Sequence, residues 1–232
     1  MGDDHDLPDP TLGVFDTLLV RDGHPVALEA HVARLGRSVR ELYGVPVEES
    51  ALATRIGADA EGPGSARVRT SYDPTSGVWQ VDVVPIEEPG LEPRTVALRR
   101  VRRGLGTHKW VDRRLVADPG AADDVLLVDS ADQVLECGTA NVIAVIGGTL
   151  VTPPLDGRIL PGTVRDRVLD LLRSEDRAPG ERPLSTAELA SATEVFTTSS
   201  IRGVQPVVAC PRVGAWPVGP WTTRLHDRMR TA

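Results

Sequence analysis

The chain has 232 residues, 41% of them apolar, and a formal net charge of −7, enough for one large domain or two modest ones burying about 70–75% of the unfolded surface. The acidic balance leaves no electrostatic footprint for nucleic acid, no apolar run is long enough to span a bilayer, and the acidic start, Met1 to Asp6, lacks the apolar segment of a signal peptide. Two cysteines, Cys137 and Cys210, without Cys-x-x-Cys spacing or a histidine cluster, argue against a disulfide framework and a zinc site; the expected setting is the cytoplasm, with no metal.

Residues 1 to about 10, with Pro8 and Pro10 among acids, read as an unstructured lead. Leu12 to Arg21 reads as a strand, Asp22-Gly23 as a hairpin turn and Pro25 to Leu28 as the return. From Leu28 to Tyr43 the apolar Val32, Leu35, Val39 and Leu42 recur at spacings of three and four, and Gly44 ends the predicted helix. His31 and Arg34 stand one turn apart on it. The histidine reads as a packing residue. The guanidinium, planar and permanently charged, suits either an exposed ion pair or a two-pronged grip on an anion. Glu48 to Ala58 reads as a second helix, and Ala66 to Tyr72 with Val78 to Val84 as a hairpin around Asp73 to Gly77. Arg67 and Arg69 project to one side of that hairpin, either as a solvated face or as a carboxylate-binding pair. Leu91 to Val101 reads as a strand whose Arg99, Arg100, Arg102 and Arg103 guard an open edge. Gly104-Leu105-Gly106 then reads as the link between two lobes, 1–104 and 105–232.

Lys109 is the only lysine in the chain. An amine that must form a Schiff base has to lose its proton, which lysine can do in a desolvated or cationic setting and arginine in practice cannot. Beyond it, three short strands are expected: Val125 to Asp129, Val134-Leu135 leading on to Asn141 to Ile146, and Leu150 to Thr152, with turns at Asp132-Gln133 and Gly147-Gly148. Glu136 sits where a strand gives way to a Cys-Gly-Thr-Ala kink. Pro161-Gly162 opens a helix from Thr163 to about Ser174, with Val164, Val168, Leu171 and Leu172 as its core stripe. A helix start carries outward N–H groups and partial positive charge, so the amides of Thr163 and Val164 suit a phosphate. Glu136, a strand away, suits the protonated ring nitrogen at the far end of the same cofactor. The pair reads as a cradle for pyridoxal phosphate. Arg177 to Pro183 reads as a loop, and Ser185 to Ala192 as a short helix with a Ser185/Glu188 capping box. Glu194 to Thr197 reads as a strand. Thr198-Ser199-Ser200 follows as a turn whose hydroxyls suit a phosphate or simply the turn. Trp216 and Trp221 read as packing residues before a closing helix from Thr222 to Arg230.

Four segments in order carry a resemblance: G-V-F-D-T-L-L-V-R-D-G with H-V-A-R-L, then T-H-K-W, then E-C-G-T-A-N-V-I through G-G-T-L-V-T-P-P-L-D-G-R-I-L-P-G-T-V-R, then E-V-F-T-T-S-S-I-R-G-V-Q-P-V. Together they resemble the class IV (fold type IV) pyridoxal-phosphate enzymes over nearly the whole chain, most closely the 4-amino-4-deoxychorismate lyase branch. The resemblance implies a mixed α/β, two-lobed fold like that of D-amino-acid aminotransferase, with the cofactor between the lobes. It also implies a homodimer with a small-molecule substrate and neither nucleic-acid nor membrane partners. By resemblance Lys109 is the Schiff-base lysine and the proton-moving catalytic residue. Arg34, Thr163, Val164, Ser199 and Ser200 hold the phosphate, Glu136 faces the ring nitrogen, and Leu160 packs on one face of the ring. The implied activity is release of pyruvate from aminodeoxychorismate to give 4-aminobenzoate for folate, or else amino transfer from branched-chain or D-amino acids to a 2-oxo acid. One departure stands out: W-V-D-R-R-L-V occupies the place where the better-known aminotransferases carry an Asn-Tyr or similar pair beside the cofactor.

Overall fold

The computed structural model describes residues 7–231, which form two compact units, 7–89 with 108–115 and 90–107 with 116 onward. Among the described residues the chain changes unit after 89, 107 and 115, whereas Gly104 had suggested one division at 104/105. The first six residues of the expected lead lie outside the described residues. Its end is ordered: Asp9 caps a short turn, Pro10–Leu12, accepting the Thr11 N–H at 2.9 Å, so Leu12 belongs to that turn and not to the first strand.

The first unit contains β1 (Val14–Arg21), β2 (His24–Pro25), α1 (Leu28–Tyr43), α2 (Glu49–Asp59), β3 (Ser65–Asp73) and β4 (Val78–Ile86). Its antiparallel sheet runs β2-β1-β3-β4. Period-two alternation sends Val14, Leu18, Val20, Val68 and Tyr72 into one core with Val32, Leu35 and Val39 of α1 and Leu52 and Ile56 of α2. Each such buried side chain contributes roughly 1.5–3 kcal/mol. The return strand is shorter than expected. Pro25 has no N–H to extend the ladder, and Ala27 adopts a left-handed conformation (φ 53°) that starts α1. Gly44, also left-handed (φ 67°), ends α1 and donates to the Arg40 carbonyl at 3.0 Å. Residues 108–115 join this unit by laying Trp110 antiparallel to Val14, with Phe15 N–H donating to the Lys109 carbonyl (2.9 Å) and Val111 N–H to that of Gly13 (3.0 Å).

The second unit contains β5 (Arg94–Arg100), β6 (Asp124–Val128), β7 (Val134–Cys137), β8 (Asn141–Ile146), β9 (Thr149–Thr152), α3 (Thr163–Ser174), β10 (Gly180–Glu181), α4 (Thr186–Ala190), β11 (Glu194–Ser199), β12 (Gly203–Cys210), β13 (Gly214–Ala215) and α5 (Pro220–Thr231). The sheet order is β10-β9-β8-β11-β12-β5-β6-β7, with β13 on β12. Although β7 ends that order, only Gly138 to Ala140 separate it from β8, so the sheet curls back on itself. The kink is held by Cys137 N–H on the Ala140 carbonyl (2.7 Å), and a Cβ at Gly138 would stand 2.7 Å from Asp124 Oδ1. Both faces of β8 are buried. Ile143 and Val145 pack with Val164, Val168 and Leu172 of α3 and Leu225 of α5, while Val142 and Ala144 pack with Leu184, Leu189 and Trp216. That explains the unbroken apolar run after Asn141.

Several local expectations change. The four arginines do not guard an edge, because β5 lies inside the sheet between β12 and β6; Arg99 caps the carbonyls of Ala117 and Asp118, and Arg100 pairs with Asp132. The 177–183 loop contains β10, which adds in parallel to β9 while Glu181 binds Arg165 and Arg173. Thr198 and Ser199 complete β11 before the turn begins. The Ser185/Glu188 capping box is present, and Trp216 is buried with its indole N–H on the Leu189 carbonyl (3.0 Å). Among the described residues no helix is long and apolar enough to cross a membrane, and no cluster of His, Cys, Asp or Glu could hold a metal ion.

Candidate active site

In the first unit, cationic side chains lie against both faces of β1, through neighbouring residues that point to opposite sides. Asp16 points toward α1, where its carboxylate takes a fork from Arg34, Nε to Oδ2 and Nη2 to Oδ1, both at 2.8 Å. His31 Nδ1 lies 2.7 Å from Asp16 Oδ1, and all three side chains are buried. Burial alone would push the Asp16 carboxyl up; the Arg34 charge, with the hydrogen bond and charge of His31, outweighs it and holds the group far below the ordinary carboxylate range. Phe15, on the other face, carries the Lys109 ammonium 5.2 Å from its ring centroid and the Arg69 guanidinium at 3.9 Å. Burial, followed by the charge of Arg67, draws Arg69 down from its usual value. Arg67 itself is exposed. The residue before the lysine, His108, is lowered by burial and set by Ser38 Oγ at 3.1 Å.

In the second unit, the curl of the sheet brings Glu136 at the end of β7 beside Asn141 at the start of β8. Glu136 is buried, and its Oε2 accepts the Leu160 N–H (3.2 Å) and a longer contact from Asn141 Nδ2 (3.4 Å). Asn141 Nδ2 also donates to the Leu160 carbonyl at 2.9 Å. Two residues on, Gly162 opens α3 without a side-chain cap, and Thr163 Oγ1 lies 3.4 Å from Ser200 Oγ. The Val164 side chain belongs to the buried stripe of α3, so what it can offer a ligand is its main-chain amide. Ser199 and Ser200 are half-buried at the end of β11.

The expected site residues therefore fall in two groups, one in each unit: Arg34 of α1 and Lys109 of the 108–115 segment, held against opposite faces of β1, and Glu136, Leu160, Thr163, Val164, Ser199 and Ser200 around the start of α3. The second group fits a phosphorylated aromatic cofactor on three counts. An uncapped helix start meets two hydroxyls, a buried carboxylate lies near its entry, and the Thr198 hydroxyl, opposite Asn141 in the β8–β11 register, is buried with no hydrogen-bond partner among the described residues. Sequence reasoning missed three polar residues. Asp16 was visible as a carboxylate inside the apolar strand V-F-D-T-L-L-V, which calls for a buried cation. Asn141 was visible as a lone amide heading an apolar strand, and Thr198 was absorbed into a turn.

Known proteins show the same arrangement of chain. Residues 13–103 and 107–210 match the amino-transferase class IV family. A Thermotoga maritima protein named "Probable branched-chain-amino-acid aminotransferase" is 32% identical over 84% of this chain and 76% of its own. The crystal structure of 4-amino-4-deoxychorismate lyase from Pseudomonas aeruginosa superposes with a TM-score of 0.74 at 28% identity, covering 94% of this chain and 90% of the other. A fold IV transaminase from Curtobacterium pusillum gives 0.79 at 26% identity, covering 93% and 84%. The mixed α/β fold is thus that of the fold type IV transaminases, and pyridoxal phosphate is the cofactor expected of such an enzyme. With most of its length matched from Gly13 to Cys210, the chain belongs to the class IV aminotransferase family.

Proposed function

We propose that the chain is a pyridoxal-phosphate-dependent 4-amino-4-deoxychorismate lyase that releases pyruvate and forms 4-aminobenzoate, acting as a cytoplasmic homodimer in folate supply. The supporting observation is the likeness to the Pseudomonas lyase, which runs through 94% of this chain and 90% of that one. When bound, the cofactor supplies an electron sink for the pair left on the amine-bearing carbon. The residues of this chain do the rest. Lys109 removes the proton at that carbon and delivers it to the methylene of the departing enolpyruvyl group, which leaves as pyruvate as the ring C–O bond breaks. Glu136 keeps a proton on the ring nitrogen, Leu160 packs a ring face, and Arg34, the Thr163 and Val164 amides, Ser199 and Ser200 hold the phosphate. Loss of pyruvate then leaves an aromatic ring, which drives the reaction forward.

The Thermotoga relative favours a second reading, a class IV aminotransferase that moves the amino group of a branched-chain or D-amino acid to a 2-oxo acid. A paired assay on purified protein with pyridoxal phosphate separates the two. The lyase reading expects 4-aminobenzoate and pyruvate from aminodeoxychorismate, with no transfer from a panel of L- and D-amino acids. Transfer without 4-aminobenzoate would move the chain to the aminotransferases.

A further inference from the structure

Asn141 spans the two ends of the second unit's site. Its amide has one orientation compatible with its surroundings. Nδ2 faces two acceptors, the Leu160 carbonyl and Glu136 Oε2, so a flipped amide would set oxygen against oxygen. The opposite atom, Oδ1, lies over Gly162, where an added Cβ would come within 1.8 Å of it. Leu160 N–H closes the ring of contacts on the same Glu136 oxygen. A buried carboxylate held by an amide and a backbone N–H has a fixed rotamer. The amide that holds it also fixes the chain at Leu160, three residues before Thr163, where α3 begins.

We propose that Asn141, seated against Gly162, is a positioning residue that locks Glu136 to the entry of α3, so that the group facing the cofactor's ring nitrogen and the amides facing its phosphate are set by one side chain. The inference rests on the pyridoxal-phosphate reading given above and adds a residue that acts through Glu136 and Leu160.

The test uses full-length protein stripped of cofactor and titrated with pyridoxal phosphate, read by visible absorbance and its pH titration alongside the melting temperature of the cofactor-free protein. Asn141→Ala is expected to weaken cofactor binding roughly ten- to a hundred-fold, the scale of hydrogen bonds to a charged group, and to move the visible spectrum toward that of Glu136→Gln. Asn141→Asp keeps the volume but turns a donor into a second acceptor beside Glu136, so it is expected to bind more weakly than Asn141→Ala. Gly162→Ala, which displaces Asn141 without altering it, is expected to move the spectrum the same way. A side chain that merely fills space would give the reverse order, with the alanine variant worse than the isosteric aspartate, and an unshifted spectrum; that result overturns the inference. Wild-type protein that binds no pyridoxal phosphate would overturn the cofactor reading itself. Normal wild-type binding with unchanged Asn141 variants would sink this inference alone.

Discussion

A guanidinium buried as deeply as that of Arg34, 6% exposed, needs a negative partner in its own fold, and Asp16 answers it with a two-pronged pair. Asp16→Ala strands that charge and is expected to cost about 3–5 kcal/mol, measured by denaturant unfolding. The pair also sets an acid limit. The carboxyl titrates lower when folded than its ordinary 3.8 because Arg34 and His31 overcome the effect of burial. Its contribution is therefore fully present above about pH 4 and is lost as pH falls from there toward the folded value. Asp16→Asn is less stable at neutral pH but is expected to show a shallower fall of melting temperature below pH 4. Parallel slopes for wild type and variant would remove Asp16 from the acid transition. Arg34 was legible as a special residue because a known family pattern surrounds it. Its partner was not, because strand alternation places Asp16 on the core face and says nothing of the cation fifteen or more residues away.

Helices were the most legible elements, since a period near 3.6 beside a start or stop signal such as a Pro-Gly pair or a glycine leaves a local trace. Leu28–Tyr43 and Thr163–Ser174 start and stop where Gly44 and the Pro161-Gly162 pair indicate. The five-residue α4 depends most on such signals. Ser185 Oγ accepts the Glu188 N–H at 3.1 Å, and Glu188 returns a carboxylate to the Ser185 N–H at 3.2 Å. So short a helix has no propagation to spare. Ser185→Ala is expected to cost about 1 kcal/mol and to loosen the antiparallel bridge between Gln133 and Ser185, seen as faster amide exchange at residues 185–190 with little change elsewhere. Unaltered exchange there would show that packing of Leu189 alone holds the helix. Strands were less legible. The two-residue β10 is too short for alternation, and β5 carries arginines that look like an edge yet lies inside the sheet because its neighbours, β6 and β12, come from far along the chain.

At the scale of the molecule, the division into units is what local pattern could not show. Residues 108–115 belong with 7–89 because Trp110 pairs with Val14, a contact across almost a hundred positions that leaves no mark on either segment alone. That pairing fixes the backbone of Lys109 and sends its amine over Phe15, with Arg69 as a second cation on the same ring. Because Lys109 is the only lysine, the chain offers a direct chemical test. Pyridoxal phosphate followed by borohydride reduction can fix the cofactor only on Lys109 or on the N-terminal amine. A reduced adduct on Lys109 blocks tryptic cleavage there, so mass spectrometry is expected to find the label on the uncut peptide Gly104 to Arg113. Lys109→Ala is expected to lose that label and turnover together while its melting temperature changes little. Label confined to the N-terminal amine, or full turnover in Lys109→Ala, would exclude Lys109 as the reacting amine.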